Sequence, residues 1–261
     1  MFKRLHAFHC GTETCSETLF DPQNKAVDAV RQMPYFFYLV EHSLGLVAFD
    51  TGPNRDFVRD NVSYLGPAAR GWRVAFREGD DARSQLAAIG IDIADVSTVL
   101  LSHLHYDHAG GMRDFSNATF FIQKREWEFA NNPGPRHTNN YIKSDFDVPE
   151  SSLRLIEGQY DVFGDNSLVL IPTPGHTPGH QSLLINGMIS TYLLAADAVY
   201  LSDLDNDACL PGPALAWSQA AMVESRRVLS ELRDKKGAMV MCTHDPAFAS
   251  GPRVPPFGVY D

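Results

Sequence analysis

The stretch Ser102-His103-Leu104-His105-Tyr106-Asp107-His108-Ala109-Gly110 constrains this chain more than any other. Three imidazoles and a carboxylate fall within six positions, directly after the apolar run Thr98-Val99-Leu100-Leu101. A short apolar run of this kind reads as a buried strand. Alternate side chains of an extended backbone share a face, so His103 and His105 point the same way. Asp107 and His108 are adjacent, and both approach one place only if the chain bends there. Gly110-Gly111 gives that bend a flexible exit. Nitrogen and oxygen donors at this density suit zinc or a similar divalent ion. A lone histidine at a strand end is ordinarily a hydrogen-bonded core or surface residue. Four ligand-type groups at H-x-H-x-D-H spacing are a different matter.

Three later stretches supply further donors, each after an apolar strand. In Thr173-Pro174-Gly175-His176-Thr177-Pro178-Gly179-His180, prolines and glycines hold His176 on a tight loop. Leu193-Leu194-Ala195-Ala196 leads to Asp197, and a buried carboxylate without a partner is costly. Val240-Met241-Cys242-Thr243 leads to His244. The count is then His103, His105, Asp107, His108, His176, Asp197 and His244. Seven ligands exceed one tetrahedral zinc. Two divalent ions sharing one carboxylate fit the number, and such a pair activates water for attack on a carbonyl or phosphoryl centre.

The 261 residues, 44% of them hydrophobic, suffice for one domain spanning 1–261 around a sizeable core. The formal net charge of −10 and the lack of a basic stripe argue against a nucleic-acid partner. Arg226-Arg227 and Lys235-Lys236 are the densest basic spots, expected on a solvated helix face. Cys10, Cys15, Cys209 and Cys242 form no C-x-x-C pair. Cys10 and Cys15 are near enough in sequence to bridge, but reduced thiols in a cytoplasmic protein are the simpler expectation. No signal-peptide core and no membrane-spanning run is visible, so no membrane partner is expected.

Read in order, residues 1–34 are expected to be polar and irregular. Tyr35–Val40 and Gly45–Phe49 read as a hairpin. It ends at Asp50, either a turn residue or a carboxylate that orients a ligand histidine. Residues 53–80 read as a long loop with one helical turn, a lid or contact surface. Its Trp72 and Phe76 suggest a homodimer face. Helices are expected at Asp81–Ile89, Lys124–Asn131 and Pro213–Lys235, the last with a buried stripe of Leu215, Met222, Leu229 and Leu232. Strands are expected at Ala118–Gln123, Leu153–Ile156, Ser167–Ile171, Gln181–Ile185, Ile189–Ala195 and Ala238–Cys242. The proline-rich end, 252–261, is expected on the surface. Such an order fits sheets covered by helices, with one site at the strand ends.

The run Ser102 to Gly111, Thr173-Pro174-Gly175-His176 through Gly179-His180-Gln181-Ser182-Leu183, Asp197-Ala198-Val199-Tyr200 and His244-Asp245 resemble the metallo-β-lactamase superfamily. Within it they resemble the quorum-quenching N-acyl homoserine lactonases. The likeness covers about Tyr35 to His244. It implies an α/β fold, an αββα sandwich of the metallo-β-lactamase type. It also implies two divalent metal ions, with Zn2+ the default, and a small-molecule lactone as substrate. By the family pattern His103, His105 and His176 hold one metal. Asp107, His108 and His244 hold the other, and Asp197 bridges them. Tyr200 matches the tyrosine placed against the substrate carbonyl, and Asp107 is the candidate proton carrier to the leaving alkoxide. His180 is expected to support a ligand rather than to be one. An aspartate at the bridging position argues against zinc β-lactamase activity, and His105 stands where a di-iron reductase of this fold carries glutamate. The alternatives to the acyl homoserine lactonase reading are a hydrolase of another small lactone or ester, and a metal-binding scaffold without turnover.

Overall fold

A computed structural model describes residues 1–20, 29–66, 73–202, 210–213, 215–246 and 257–260. Two sheets stack face to face. The first contains β1 (Phe2–Ser16), β2 (Val30–His42), β3 (Gly45–Phe49), β4 (Arg73–Ala75), β5 (Val96–Leu100), β6 (Thr119–Gln123) and β7 (Leu153–Ile156). The second contains β8 (Tyr160–Asp161), β9 (Leu168–Pro172), β10 (Gln181–Asn186), β11 (Thr191–Leu194) and β12 (Met239–Met241). A further strand, β13 (Phe257–Tyr260), returns to the first sheet beside β1. Strand orders are β13-β1-β2-β3-β5-β6-β7, with β4 also on β1, and β12-β11-β10-β9-β8.

Helices α1 (Arg55–Arg59), α2 (Asn61–Leu65), α3 (Ala82–Ala88), α4 (Tyr106–Ala109) and α5 (Lys124–Asn131) follow strands of the first sheet, and α6 (Gln219–Lys236) precedes β12. Three apolar layers set this order. Phe36, Tyr38, Val47 and Phe49 of the first sheet meet Leu168, Leu170, Leu183 and Leu194 of the second. On the outer face of the first sheet, Phe37, Leu39 and Val99 pack with Phe57, Leu86 and Ala109 of the helices. On the outer face of the second, Val169, Leu184 and Leu193 pack under Leu229 of α6. The result is the expected αββα sandwich. Each central strand is apolar on both faces, which is why Tyr35 to Val40 is a continuous buried run.

Several expectations are corrected. Residues 2–16 form a long strand, antiparallel to β2 from Phe2↔His42 to Ser16↔Val30. His6 and Glu13 interrupt the apolar pattern yet are themselves buried, so the segment looks polar while lying in a sheet. The stretch 53–80 holds two short helices and a strand among its described residues. Phe76 is half-buried against Phe57 and Tyr35, and Trp72 lies outside the described residues. The long helix starts at Gln219 with Ser218 as its cap, and Leu215 packs instead with Phe20 and Tyr200. Of the proline-rich end, residues 252–256 lie outside the described residues, and Phe257–Tyr260 pairs with β1 at the edge of the sheet. Cys10, Cys15 and Cys242 are buried and form no disulfide among the described residues; Cys209 lies outside them.

The parallel pairings decide where the site sits. β3, β5 and β6 run parallel to one another, as do β11 and β12. Their C-terminal ends therefore open on one edge of the sandwich, the usual place for ligands in parallel sheets. A polar bridge ties the sheets there. Gln181 donates its backbone N–H to the Ser102 carbonyl at 3.0 Å and its side-chain amide to the Leu101 carbonyl at 2.7 Å.

Candidate metal centre

All seven donors predicted from the sequence converge. His103 and His105 follow β5, Asp107 and His108 lie in α4, His176 follows β9, Asp197 follows β11 and His244 follows β12. The ligand atoms of His103, His105 and His176 lie within 4.8 Å of one another. The same holds for His103, His108 and Asp197, and for Asp107, His108 and His244. His176 Nε2 is 3.2 Å from His103 Nε2 and 2.8 Å from His105 Nδ1. Metal–nitrogen bonds of about 2.0–2.1 Å give a tetrahedron with edges of roughly 3.3–3.4 Å, so these spacings are close to those of ligands sharing an ion.

Asp197 stands between the two groups. Its Oδ1 is 3.1 Å from both His108 Nε2 and His244 Nε2, while its Oδ2 is 3.4 Å from His176 Nε2. The turn that delivers it puts Ala196 in the left-handed region at φ 46°, unusual for a residue with a side chain. Asp107 Oδ2 lies 3.3 Å from His108 Nε2 and 3.6 Å from His244 Nε2.

The rings are aimed from behind. His108 Nδ1 donates to Asp50 Oδ2 at 2.8 Å, His176 Nδ1 to the Leu215 carbonyl at 2.7 Å, and His244 Nδ1 to the Pro34 carbonyl at 2.9 Å. Ser102 Oγ donates to Asp50 Oδ2 at 2.9 Å and accepts from His103 Nδ1 at 2.9 Å. Anchoring one ring nitrogen fixes the tautomer and leaves the other nitrogen's lone pair for an ion. Asp50 is thus an orienting carboxylate rather than a plain turn residue, fully buried and itself at φ 60°. His180 also has the expected supporting role. Its Nε2 accepts the Asp197 backbone N–H at 3.1 Å, and burial lowers its pKa to about 3, so it stays neutral.

Electrostatics test whether these residues fit cations. Burial lowers the pKa of His103, His105 and His176, leaving uncharged imidazoles of the kind that bind metal. Burial also opposes charge on His108, yet Asp107, Asp197 and Asp50 outweigh it and hold its pKa well above the usual value. Burial would likewise raise Asp197, but His108, His244 and His176 hold its carboxyl well below the usual range. The carboxylates therefore demand positive charge in a buried site. Among the described residues the buried His108 Nε2, which faces Asp107 and Asp197, has no hydrogen-bond partner. The donor set fits two divalent ions.

The cleft above the donors is lined by Tyr200, Tyr35, Phe20, Met33, Leu215 and Glu13, among others. Tyr200, at 5% exposure, places its hydroxyl against His176 Nδ1 and 3.1 Å from the Leu215 carbonyl, and its ring stacks on His244. Glu13 and Tyr35 escaped the sequence reading. Tyr35 donates its hydroxyl to Glu13 Oε2, and burial raises the Glu13 carboxyl to about 7. Only strand alternation across Thr12-Glu13-Thr14 could have placed Glu13 on this face.

Comparison with known proteins agrees with this geometry. Residues 31–244 match the model of the Metallo-beta-lactamase superfamily. The N-acyl homoserine lactonase AttM of Azorhizobium caulinodans is 34% identical over 264 residues, covering 99% of this chain and 98% of the relative. The N-acyl homoserine lactonase AiiA of Bacillus thuringiensis subsp. kurstaki is 31% identical over 215 residues, 82% of each chain. A solved N-acyl homoserine lactone hydrolase with N-hexanoyl-L-homoserine at its catalytic metal centre superposes with a TM-score of 0.86 at 27% identity, covering 98% of both chains.

Proposed function

The chain belongs to the metallo-beta-lactamase superfamily and, within it, to the N-acyl homoserine lactonases, and from that premise we propose that it opens the lactone ring of N-acyl homoserine lactones using two zinc ions. The observation that carries this reading is Asp197, whose two oxygens face different histidine groups. In this reading His103, His105 and His176 would hold one ion, Asp107, His108 and His244 would hold the other, and Asp197 would serve both. Bound there, a pair of divalent ions supplies a nucleophilic water near neutral pH and Lewis acidity toward an ester carbonyl.

The chain's own groups do the rest. Tyr200 turns its hydroxyl toward the ring carbonyl oxygen and stabilises the negative charge that develops as water adds to the carbon. The ring carbon–oxygen bond then breaks. Asp107, 13% exposed in the cleft, takes the proton that the attacking water loses and passes it to the departing ring oxygen, leaving an acyl homoserine. Phe20, Met33 and Leu215 offer the acyl chain an apolar wall. A cytoplasmic setting is supported by Cys10, Cys15 and Cys242, which are buried and form no disulfide among the described residues. No helix among the described residues is long and apolar enough to cross a membrane.

The test combines metal analysis with ring opening. The purified protein is expected to hold two zinc ions and to hydrolyse N-hexanoyl homoserine lactone faster than a plain aliphatic lactone of the same ring size. Preference for the plain lactone would replace the substrate assignment, and two bound ions with no ring opening would leave only a metal scaffold.

A further inference from the structure

Glu126, in the first turn of α5, is fully buried, and its carboxylate hydrogen-bonds to groups flanking three of the candidate ligands and so joins the loops that carry them. Oε1 accepts the Leu104 backbone N–H at 3.1 Å, and Leu104 is the residue between His103 and His105. Oε1 also accepts the Tyr141 hydroxyl at 2.9 Å, and the Tyr141 ring sits edge-on to His105 with centroids 4.6 Å apart. Oε2 accepts the Thr177 hydroxyl at 2.6 Å and the Gly179 backbone N–H at 3.2 Å, both on the loop of His176. A carboxylate has about four lone-pair sites. Here four neutral donors occupy them, with one oxygen serving each loop. Packing reinforces the link, because a Cβ at Gly179 would lie 2.2 Å from the Glu126 backbone nitrogen.

We propose that Glu126 is a positioning residue that clamps the His103–His105 loop to the His176 loop and thereby sets the affinity of one metal site, that of His103, His105 and His176. The other site is anchored by different groups, Asp50 behind His108 and the Pro34 carbonyl behind His244. Glu126 therefore acts on one ion and not on the pair. The inference rests on the two-metal reading given above.

Glu126→Gln keeps the shape and places an amide N–H2 where one oxygen had met two donors, so one loop loses its acceptor. The experiment dialyses the zinc-loaded full-length protein against a graded series of chelator and counts zinc per chain. Circular dichroism and thermal melting monitor folding. Groups that orient metal ligands typically contribute 10–100-fold to affinity. The variant is expected to release one ion at about ten-fold less chelator than the wild type, with release of the second ion unchanged. Release of both ions as in the wild type would overturn the proposal. So would earlier release of both by the same factor, which marks general loosening. If Glu126→Gln does not fold, Thr177→Val decides, since it removes one donor on the His176 side. It is expected to show the same one-ion shift at smaller size, and wild-type retention would overturn the clamp. A wild type that itself holds fewer than two ions would instead overturn the two-metal reading.

Discussion

Tyr200 illustrates how much one side chain's surroundings decide. Its hydroxyl is buried beside His176 and donates to the Leu215 carbonyl, an acceptor it must leave to meet a substrate oxygen. Burial, then the Asp197 and Asp107 charges, raise its pKa well above the usual value, so it works as a neutral donor and not as a base. Removing one such donor to a developing oxyanion costs about 10²–10³ in kcat in well-studied cases. Tyr200→Phe is expected to keep both metals and lower kcat by about 10–100-fold, since a metal shares the stabilisation. A kcat within two-fold of wild type, measured at saturating lactone, would remove Tyr200 from the reaction. Asp50 acts at one remove, through the imidazole it holds. Asp50→Asn keeps an acceptor for His108 Nδ1 but removes the charge behind it. Zinc at the Asp107–His108–His244 site is then expected to weaken by about ten-fold in chelator competition. Unaltered retention of both ions would show that His108 needs no carboxylate behind it.

At the scale of elements, the metal loop 173–180 is held by glycines because helices press on it from two sides. Gly175 has φ 150°, and a Cβ there would lie 2.5 Å from the Met222 Cα of α6. Gly179 meets α5 in the same way. Gly175→Ala must push α6 outward, and overpacking of this kind costs about 1–3 kcal/mol. In a chain of this size that corresponds to a fall in Tm of roughly 2–10 °C. Melting the metal-loaded variant beside the wild type checks it, and an unchanged Tm would show that α6 yields freely. The loop's ligand was legible in the sequence, since prolines and glycines around a histidine after an apolar strand form a local pattern. So were β5 with its H-x-H-x-D-H exit and the two-sided burial of β2. Glu126 was not legible, because its partners stand 15 to 53 positions away and any first-turn glutamate looks the same in one dimension. The strand β1 was missed for a related reason. His6 and Glu13 are buried by pairing with Glu41 and Tyr35, contacts that exist only once the sheet is folded.

On the scale of the whole molecule, stability is shared between metal and proton binding. The excess acidic charge, −10 overall, includes the buried carboxylates of the centre, where bound cations would offset their repulsion. Anything that binds only the folded state stabilises it by mass action. Chelation is therefore expected to lower Tm, and zinc to restore it; a Tm indifferent to both would contradict a structural contribution from the ions. A separate dependence on pH comes from Asp145, which accepts the Asn54 amide at 3.1 Å and the Tyr64 hydroxyl. Burial, only partly opposed by these hydrogen bonds, raises its carboxyl from 3.8 to about 7. Between those values the folded chain binds more protons here than the unfolded chain does. This group's contribution is therefore fully present at low pH and is lost as pH rises toward 7. The limiting slope is about 1.4 kcal/mol per pH unit for one proton. Asp145→Asn cannot ionise, and its amide can still serve both partners. Urea unfolding of the metal-loaded proteins at pH 5 and pH 7 is expected to show a smaller loss of stability over that interval in the variant than in the wild type. Equal losses in the two would mean that Asp145 is already ionised at pH 5, and that its hydrogen bonds from Asn54 and Tyr64 outweigh its burial.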